Sequence, residues 1–294
     1  MTRRVTPPQG VGLSTCFGYS YSVSTPDYPR REVFPHAPLQ LVAAEVRYPY
    51  APRLRQPRVQ DRLQIDLEDL LPIRRTIQQL SVELDPSGAV HQKNEEVFRL
   101  VNRTSTASAA ITPTAVTVET TDYTEFEEFK ELVSSVLTAI ASRKAVAAVE
   151  RIGLRYIDEV RVPTEINSTR DWAGWLADDI TTISRISPGD PTTYQGAVEA
   201  ATGKDQRLVF RFAALNGTGV ILNEPLRRRG DPTPGPFFVI DIDSFWAPAA
   251  AENFIEFDAE LIGNLLASLH APTGAAFQAA LTDRLRALFR KDSR

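Results

Sequence analysis

The chain has 294 residues, of which 43% are hydrophobic and 24% charged, a balance that excludes a wholly disordered protein. The net charge of -4 lacks the basic excess of a dedicated nucleic-acid binder, and no apolar run is long enough for a membrane-spanning helix. With Cys16 as the single cysteine, an intramolecular disulfide and a thiolate zinc site are both excluded, and a reducing, cytoplasmic location is expected.

Residues 1–36 are expected to form a partly disordered N-terminal arm. Pro7, Pro8, Pro26, Pro29 and Pro35 interrupt any regular element there. Met1-Thr2-Arg3-Arg4 is not followed by the apolar core of a secretory signal. Tyr19, Tyr21 and Tyr28 can pin the arm to the body or touch a partner.

Leu39 to Tyr48 reads as a strand, and Val59 to Leu71 as a helix with Val59, Leu63, Leu67, Leu70 and Leu71 on one side. Thr76 to Leu84 reads as a strand closed by the turn Asp85-Pro86-Ser87-Gly88. Glu96 to Asn102 and Ala115 to Tyr123 are further strands. Thr124 to Ser142 predicts a helix, with Thr124 and Glu127 as a capping box and Phe126, Phe129, Val133, Leu137 and Ile140 as its stripe.

The pattern then restarts. Val146 to Val162 predicts a long strand, and Asp171 to Ile183 a helix with Trp172, Trp175, Leu176 and Ile180 on its apolar side. Thr193 to Ala201 and Arg207 to Leu215 pair across the turn Gly203-Lys204-Asp205. A Pro/Gly-rich loop with Arg227-Arg228-Arg229 precedes the strand Phe237 to Phe245. Two helical stripes close the chain: Phe254, Phe257, Leu261, Leu265 and Leu269, then Phe277, Leu281, Leu285 and Leu288.

The expected fold is therefore α+β, built from two related β-α-β-β-β-α halves over residues 37–144 and 145–294. Each half carries an antiparallel sheet covered by helices on one face. Arg47-Tyr48 matches Arg155-Tyr156, and Val97-Phe98-Arg99-Leu100 matches Val209-Phe210-Arg211-Phe212. Val116 to Tyr123 matches Phe238 to Phe245, with Glu119 on Asp241, and Phe126, Phe129, Val133, Leu137 match Phe254, Phe257, Leu261, Leu265. Edge-to-edge pairing of the halves would hide edge strands and leave one sheet face, or the groove between halves, as the binding surface.

Three segments carry a family resemblance: Pro38-Leu39-Gln40-Leu41-Val42 to Arg47-Tyr48, Arg151-Ile152-Gly153-Leu154-Arg155-Tyr156-Ile157-Asp158, and Phe237-Phe238-Val239-Ile240-Asp241-Ile242-Asp243. With the closing Phe277 to Phe289 helix, they resemble a sporadically distributed family of uncharacterised prokaryotic proteins of about this size. The resemblance covers residues 37–290. In that family an Asn commonly stands where this chain has Asp158. The resemblance implies no activity and carries over no catalytic residue. A sporadic distribution suggests an accessory, stress- or defence-linked role.

Among residues that could do chemistry, Asp241 and Asp243 lie on one face of a strand, about 7 Å apart. Such a pair can hold Mg²⁺ for phosphoryl transfer. The other reading is a helix cap or an ion pair with Arg151 and Arg155. Those two arginines bracket Gly153 and can grip an anion or bridge to the carboxylates. Arg227, Arg228 and Arg229, with Arg53, Arg55, Arg58, Arg74 and Arg75, can contact phosphates or be solvated. His36, His91 and His270 are dispersed, and no HExxH, GxSxG, P-loop or GxGxxG sequence occurs. The functional expectation is a non-enzymatic binding protein with a macromolecular, most simply a protein, partner. It needs no cofactor, metal or membrane and is compatible with a homo-oligomer. The alternatives are a Mg²⁺-dependent phosphoryl- or nucleotide-handling enzyme using Asp241 and Asp243, and nucleic-acid binding through the Arg loops.

Overall fold

The computed structural model describes residues 32–84, 90–221 and 226–290. Most of the arm, Cys16 and the Asp85 to Gly88 turn lie outside these. The side chains of residues 77–96, including the expected alternation from Ile77 to Leu84 and His91, lie outside them too.

The chain is α+β. Its strands are β1 (Leu39–Arg47), β2 (Ile73–Leu84), β3 (Val90–Val101), β4 (Ala107–Ile111), β5 (Ala115–Thr120), β6 (Ala148–Val149), β7 (Arg151–Val160), β8 (Tyr194–Gly203), β9 (Gln206–Gly217), β10 (Gly235–Trp246) and β11 (Ile255–Glu256). Its helices are α1 (Pro57–Asp66), α2 (Phe126–Ser142), α3 (Asp178–Thr181), α4 (Ala259–Ala280) and α5 (Asp283–Arg290). One nine-stranded sheet runs β2-β3-β4-β5-β1-β7-β10-β9-β8, and β11 pairs with β6 separately. Every neighbouring pair in the large sheet is antiparallel.

The two halves meet at β1 and β7, which pair with Ala43 opposite Arg155 and Glu45 opposite Gly153. Aliphatic residues alternate along both strands, so one set of side chains is drawn into a core. Val42, Ala44, Val46, Ile152 and Leu154 join Val116 and Val118 of β5, Phe129, Val133 and Leu137 of α2, and Ile262, Leu266 and Leu269 of α4 in a single cluster. A second cluster gathers Phe238, Ile240 and Ile242 of β10 with Trp172, Trp175, Leu176, Leu285 and Phe289. Phe34 belongs to it and meets Phe289 edge-on at 5.6 Å. The last residues of the expected arm are thus docked. Glu32 also pairs with Arg290.

Several expectations need correction. The first half holds one more strand than expected, because Ala107–Ile111 forms β4. That Ala/Ser run has no aliphatic alternation to betray it. In consequence Val97 to Leu100 lies in β3, two strands from β5, whereas Val209 to Phe212 lies in β9 beside β10. These two matched segments do not occupy equivalent places. The segments in β1 and β7 form the central pair, and those in β5 and β10 flank it on either side.

The helix expected over Asp171 to Ile183 is broken. A 3-10 turn at Thr169–Trp172 is followed by Gly174 at φ 81°, then the single-turn α3 and a second 3-10 turn at Thr182–Ile186. Trp172 and Leu176 are still buried, by the turn rather than by a helical face. The expected long strand over Val146 to Val162 is interrupted at Glu150, between β6 and β7.

Helix α2 starts at Phe126 with Glu125 as N-cap and no side-chain cap; Thr124 donates its hydroxyl to Glu128 instead of forming a box with Glu127. Phe254 and Phe257 precede α4, whose buried line is Ile262, Leu266 and Leu269, while Leu261 is 40% exposed. The expected Phe277 to Phe289 helix breaks at Leu281 and Thr282, between α4 and α5.

Because the first cluster draws on both halves, the chain should unfold as one unit. Leu154→Ala, at a fully buried site, should cost about 2–5 kcal/mol. Urea unfolding should show a single transition, coincident by circular dichroism and tryptophan fluorescence and shifted to lower urea. Two separated transitions would contradict this.

Candidate functional site

The residues that alternate with the core side chains of β1, β7, β9 and β10 share the opposite side of the sheet. The register places Arg155 beside Asp243, Ile157 beside Asp241, and Asp241 beside Arg211. Arg155 reaches diagonally to Asp241, with Nε donating to Oδ1 at 2.7 Å and Nη2 to Oδ2 at 2.7 Å. This is a bidentate, charge-assisted pair. Arg211 approaches the same carboxylate at 3.7 Å. The Asp241 hydrogen bond, foremost, raises the Arg155 pKa.

Arg151 lies flat along the sheet. It donates to Glu45 at 3.1 Å and to both Asp243 oxygens, at 3.3 and 3.1 Å. Its guanidinium stacks on Phe245, 4.6 Å from the ring centre. Gly153 makes this path possible, since a Cβ there would sit 2.5 Å from Arg151 Nη1. The space over Gly153 that a ligand could have used is therefore filled by the chain's own arginine. Arg47 completes this group through a 2.6 Å bond to Glu45. Arg207 and Glu199 pair at 2.7 Å at one end of the same face. Arg99, Ser108 and Glu119 form a separate group at the other end, with Ser108 donating to Glu119 at 2.8 Å.

The structure thus brings together Arg151, Arg155, Asp241 and Asp243, with the two carboxylates inside β10 rather than at its end and Arg151 opening β7. Both carboxylates are held by arginines. A divalent ion would have to displace those partners at a cost in charge-assisted hydrogen bonds. Among the described residues, no group of three or more His, Cys, Asp or Glu side chains is arranged to hold a metal.

The Arg227-Arg228-Arg229 loop is elsewhere on this face. Ile221 and Leu226 pack on Leu41, Val101, Ile73 and Ile157, so these two residues roof one end of the sheet. Arg227 fixes this roof by backbone bonds, accepting from Thr121 Oγ1 at 2.7 Å and donating to Ser105 O at 2.6 Å. Arg228 is largely covered, its side chain 10% exposed, and donates to Glu159 at 2.6 Å, while Arg227 and Arg229 are exposed. Glu159 also accepts from Arg161 at 2.8 Å and from the Val220 N–H at 2.8 Å. The three arginines therefore do not form a common cationic surface. The further Arg74 is tied to Asp61 at 3.0 Å.

The sequence reading gave no site role to Glu45, Arg211 and Glu159, nor to Asp158, which it noted only as standing in place of an Asn. The first two depend on pairing register. The last two had a signal, consecutive acids within an apolar strand. Asp158 faces the core side of β7 and is 3% exposed. Burial, and secondarily the charge of Asp241, push its pKa up to about 8. Away from these ion pairs, a cavity of about 380 Å³ lies against α2, its lining including Asp122, Glu125 and Glu128.

Compared with known proteins, the chain matches no family model and no curated protein. Among the described residues no helix is long and apolar enough to cross a membrane.

Two outcomes follow. An unfolded Asp ionises near pH 4, whereas Asp158 in the fold holds its proton up to about pH 8. Its contribution to stability is therefore full at low pH, declines as pH rises from about 4 to 8, and is level above that. The stability difference between wild type and Asp158→Asn should show that slope in urea titrations across pH; a pH-independent difference would contradict it. Glu159→Gln leaves the largely covered Arg228 without its counter-charge and should cost about 3 kcal/mol, read as a lowered urea midpoint.

Proposed function

We propose that the protein is a non-enzymatic binding protein that docks a protein partner on the charged face formed by β1, β7, β10 and β9. The observation that carries this reading is the mutual neutralisation of Arg155 with Asp241 and of Arg151 with Asp243 and Glu45. Groups already paired are poor acids, bases or metal ligands, but they form a rigid, flat pattern of alternating charge. Arg155 and Arg211 remain 48% and 42% exposed at their side chains. Electrostatic complementarity with such a pattern gives orientation and selectivity more than raw affinity.

Two further readings support the same picture and are proposed with it. The chain is an internal duplication in which β1, β5 and α2 correspond to β7, β10 and α4, with helices gathered on the opposite side of the sheet. Its support is the equivalent flanking of the central strands. The resemblance drawn from the three motifs supports a prokaryotic, cytoplasmic accessory role in a stress- or defence-linked system. A protonated Asp158 is neutral and close in shape to the Asn common at that position in the resembling family.

The test is affinity capture of the intact protein from its source lysate, in parallel with Arg155→Ala/Arg211→Ala. A stoichiometric protein partner should be captured by the wild type and lost, at least tenfold, by the folded variant. Capture that is unchanged in the variant would remove the face from the account. Nuclease-sensitive material in place of protein, or Mg²⁺- or Mn²⁺-dependent turnover lost in Asp241→Asn, would overturn the reading itself.

A further inference from the structure

The large sheet ends on one side at β8, and among the described residues no strand pairs with its outer edge. Alternate backbone N–H and C=O groups of β8 therefore face away from β9. The chemistry that satisfies such a row is another extended backbone. Monomeric proteins guard an edge with Lys, Pro, inward charges or bulges. β8 reads Tyr194-Gln195-Gly196-Ala197-Val198-Glu199-Ala200-Ala201-Thr202-Gly203, with neither Lys nor Pro. Its one charged side chain, Glu199, is taken by Arg207 at 2.7 Å. The only irregularity of its pairing falls at Ala201/Gly203, beside the hairpin turn.

The edge is also apolar on one side. Val198 is 59% exposed and stands opposite Phe210, which is half-buried. Phe212 lies over Gly196, so close that a Cβ there would meet its ring at 2.5 Å. On this side the Tyr194 hydroxyl donates to the Ile180 carbonyl at 3.0 Å, anchoring the segment in which Ile183 and Ile186 are 42% and 80% exposed. Small residues along β8 leave the approach to its backbone unobstructed.

We propose that β8 is a self-association edge: two copies of this chain pair β8 with β8 about a two-fold axis, giving one sheet continuous across the dimer. The strand is self-complementary in a way that favours a second copy over a foreign strand. Antiparallel pairing centred on Val198 sets Val198 against its own counterpart, Gly196 against Ala200, and Ala197 against Glu199. No like charges then face each other, whereas centring on Glu199 would oppose two carboxylates. The interface is isologous, so it closes at two copies. It leaves the charged face of β1, β7 and β10 free and stands or falls independently of the partner proposed for that face.

The test is sedimentation velocity of the full chain over a wide concentration range, with Val198→Lys and Ala200→Lys, both at exposed positions. The wild type should be a dimer. Each Lys variant should be a monomer with unchanged circular dichroism and unfolding midpoint. In a Cys16→Ser background, Val198→Cys should give a disulfide-linked dimer on mild oxidation. A wild type that stays monomeric, a dimer that survives both Lys variants, or open-ended oligomers indicating β8 against β2 of the next copy would each overturn the proposal.

Discussion

The rest of the molecule depends on the antiparallel pairing of β1 with β7. That pairing makes one sheet out of two halves, and its register decides which side chains share a face. With Ala43 opposite Arg155 and Ala44 opposite Leu154, every even-numbered residue of β1 and β7 from Val42 to Val46 and from Ile152 to Tyr156 enters the core. A slip of one residue would bury the arginines and expose the aliphatics. Hydrophobic burial, at about 25 cal/mol per Å², therefore fixes the position of the charges as surely as the charges' own attraction does.

Once the arginines are confined to one side, their pairing follows from reach and crowding. Arg155 is long enough to pass Asp243, directly opposite, and to grip Asp241 bidentately. Arg151 crosses Gly153 because no side chain stands there, and Phe245 supplies the surface on which it rests. The same logic anchors the roof over the other end of the sheet, where Glu159 draws Arg161, Arg228 and the Val220 N–H to one buried carboxylate. Both clusters set carboxylates directly against guanidinium groups. Removing one member leaves another uncompensated, which is why they are specific rather than merely adhesive.

Much of this was legible in the sequence. Strands with aliphatic alternation declared themselves, as in Ile152, Leu154 and Tyr156, and the stripe from Phe126 to Ile140 marked α2. The spacing of Arg151, Gly153 and Arg155 against Asp241 and Asp243 already suggested a bridge. What stayed hidden depended on three-dimensional register or on weak local signals. Glu45 and Arg211 join the ion pairs only because their strands lie where they do. β4 is too poor in aliphatics to stand out. At residues 169–186, two tryptophans at helical spacing imitate an apolar face, but Gly174 in a left-handed conformation turns the chain between them. In α4 Leu269 is buried as expected, but Ile262 and Leu266 take the places expected for Leu261 and Leu265, because Phe254 and Phe257 seeded the stripe from outside the helix.

The central claim is that the charges on this face are spent on each other. A double-mutant cycle on Arg155 and Asp241 measures this most directly, using the urea stability of wild type, Arg155→Ala, Asp241→Ala and the double variant. The account predicts a coupling of about 1 kcal/mol or more, the range expected for directly hydrogen-bonded ionic partners. A coupling indistinguishable from zero would mean that the two side chains are energetically independent, and the carboxylate would again be available for other chemistry.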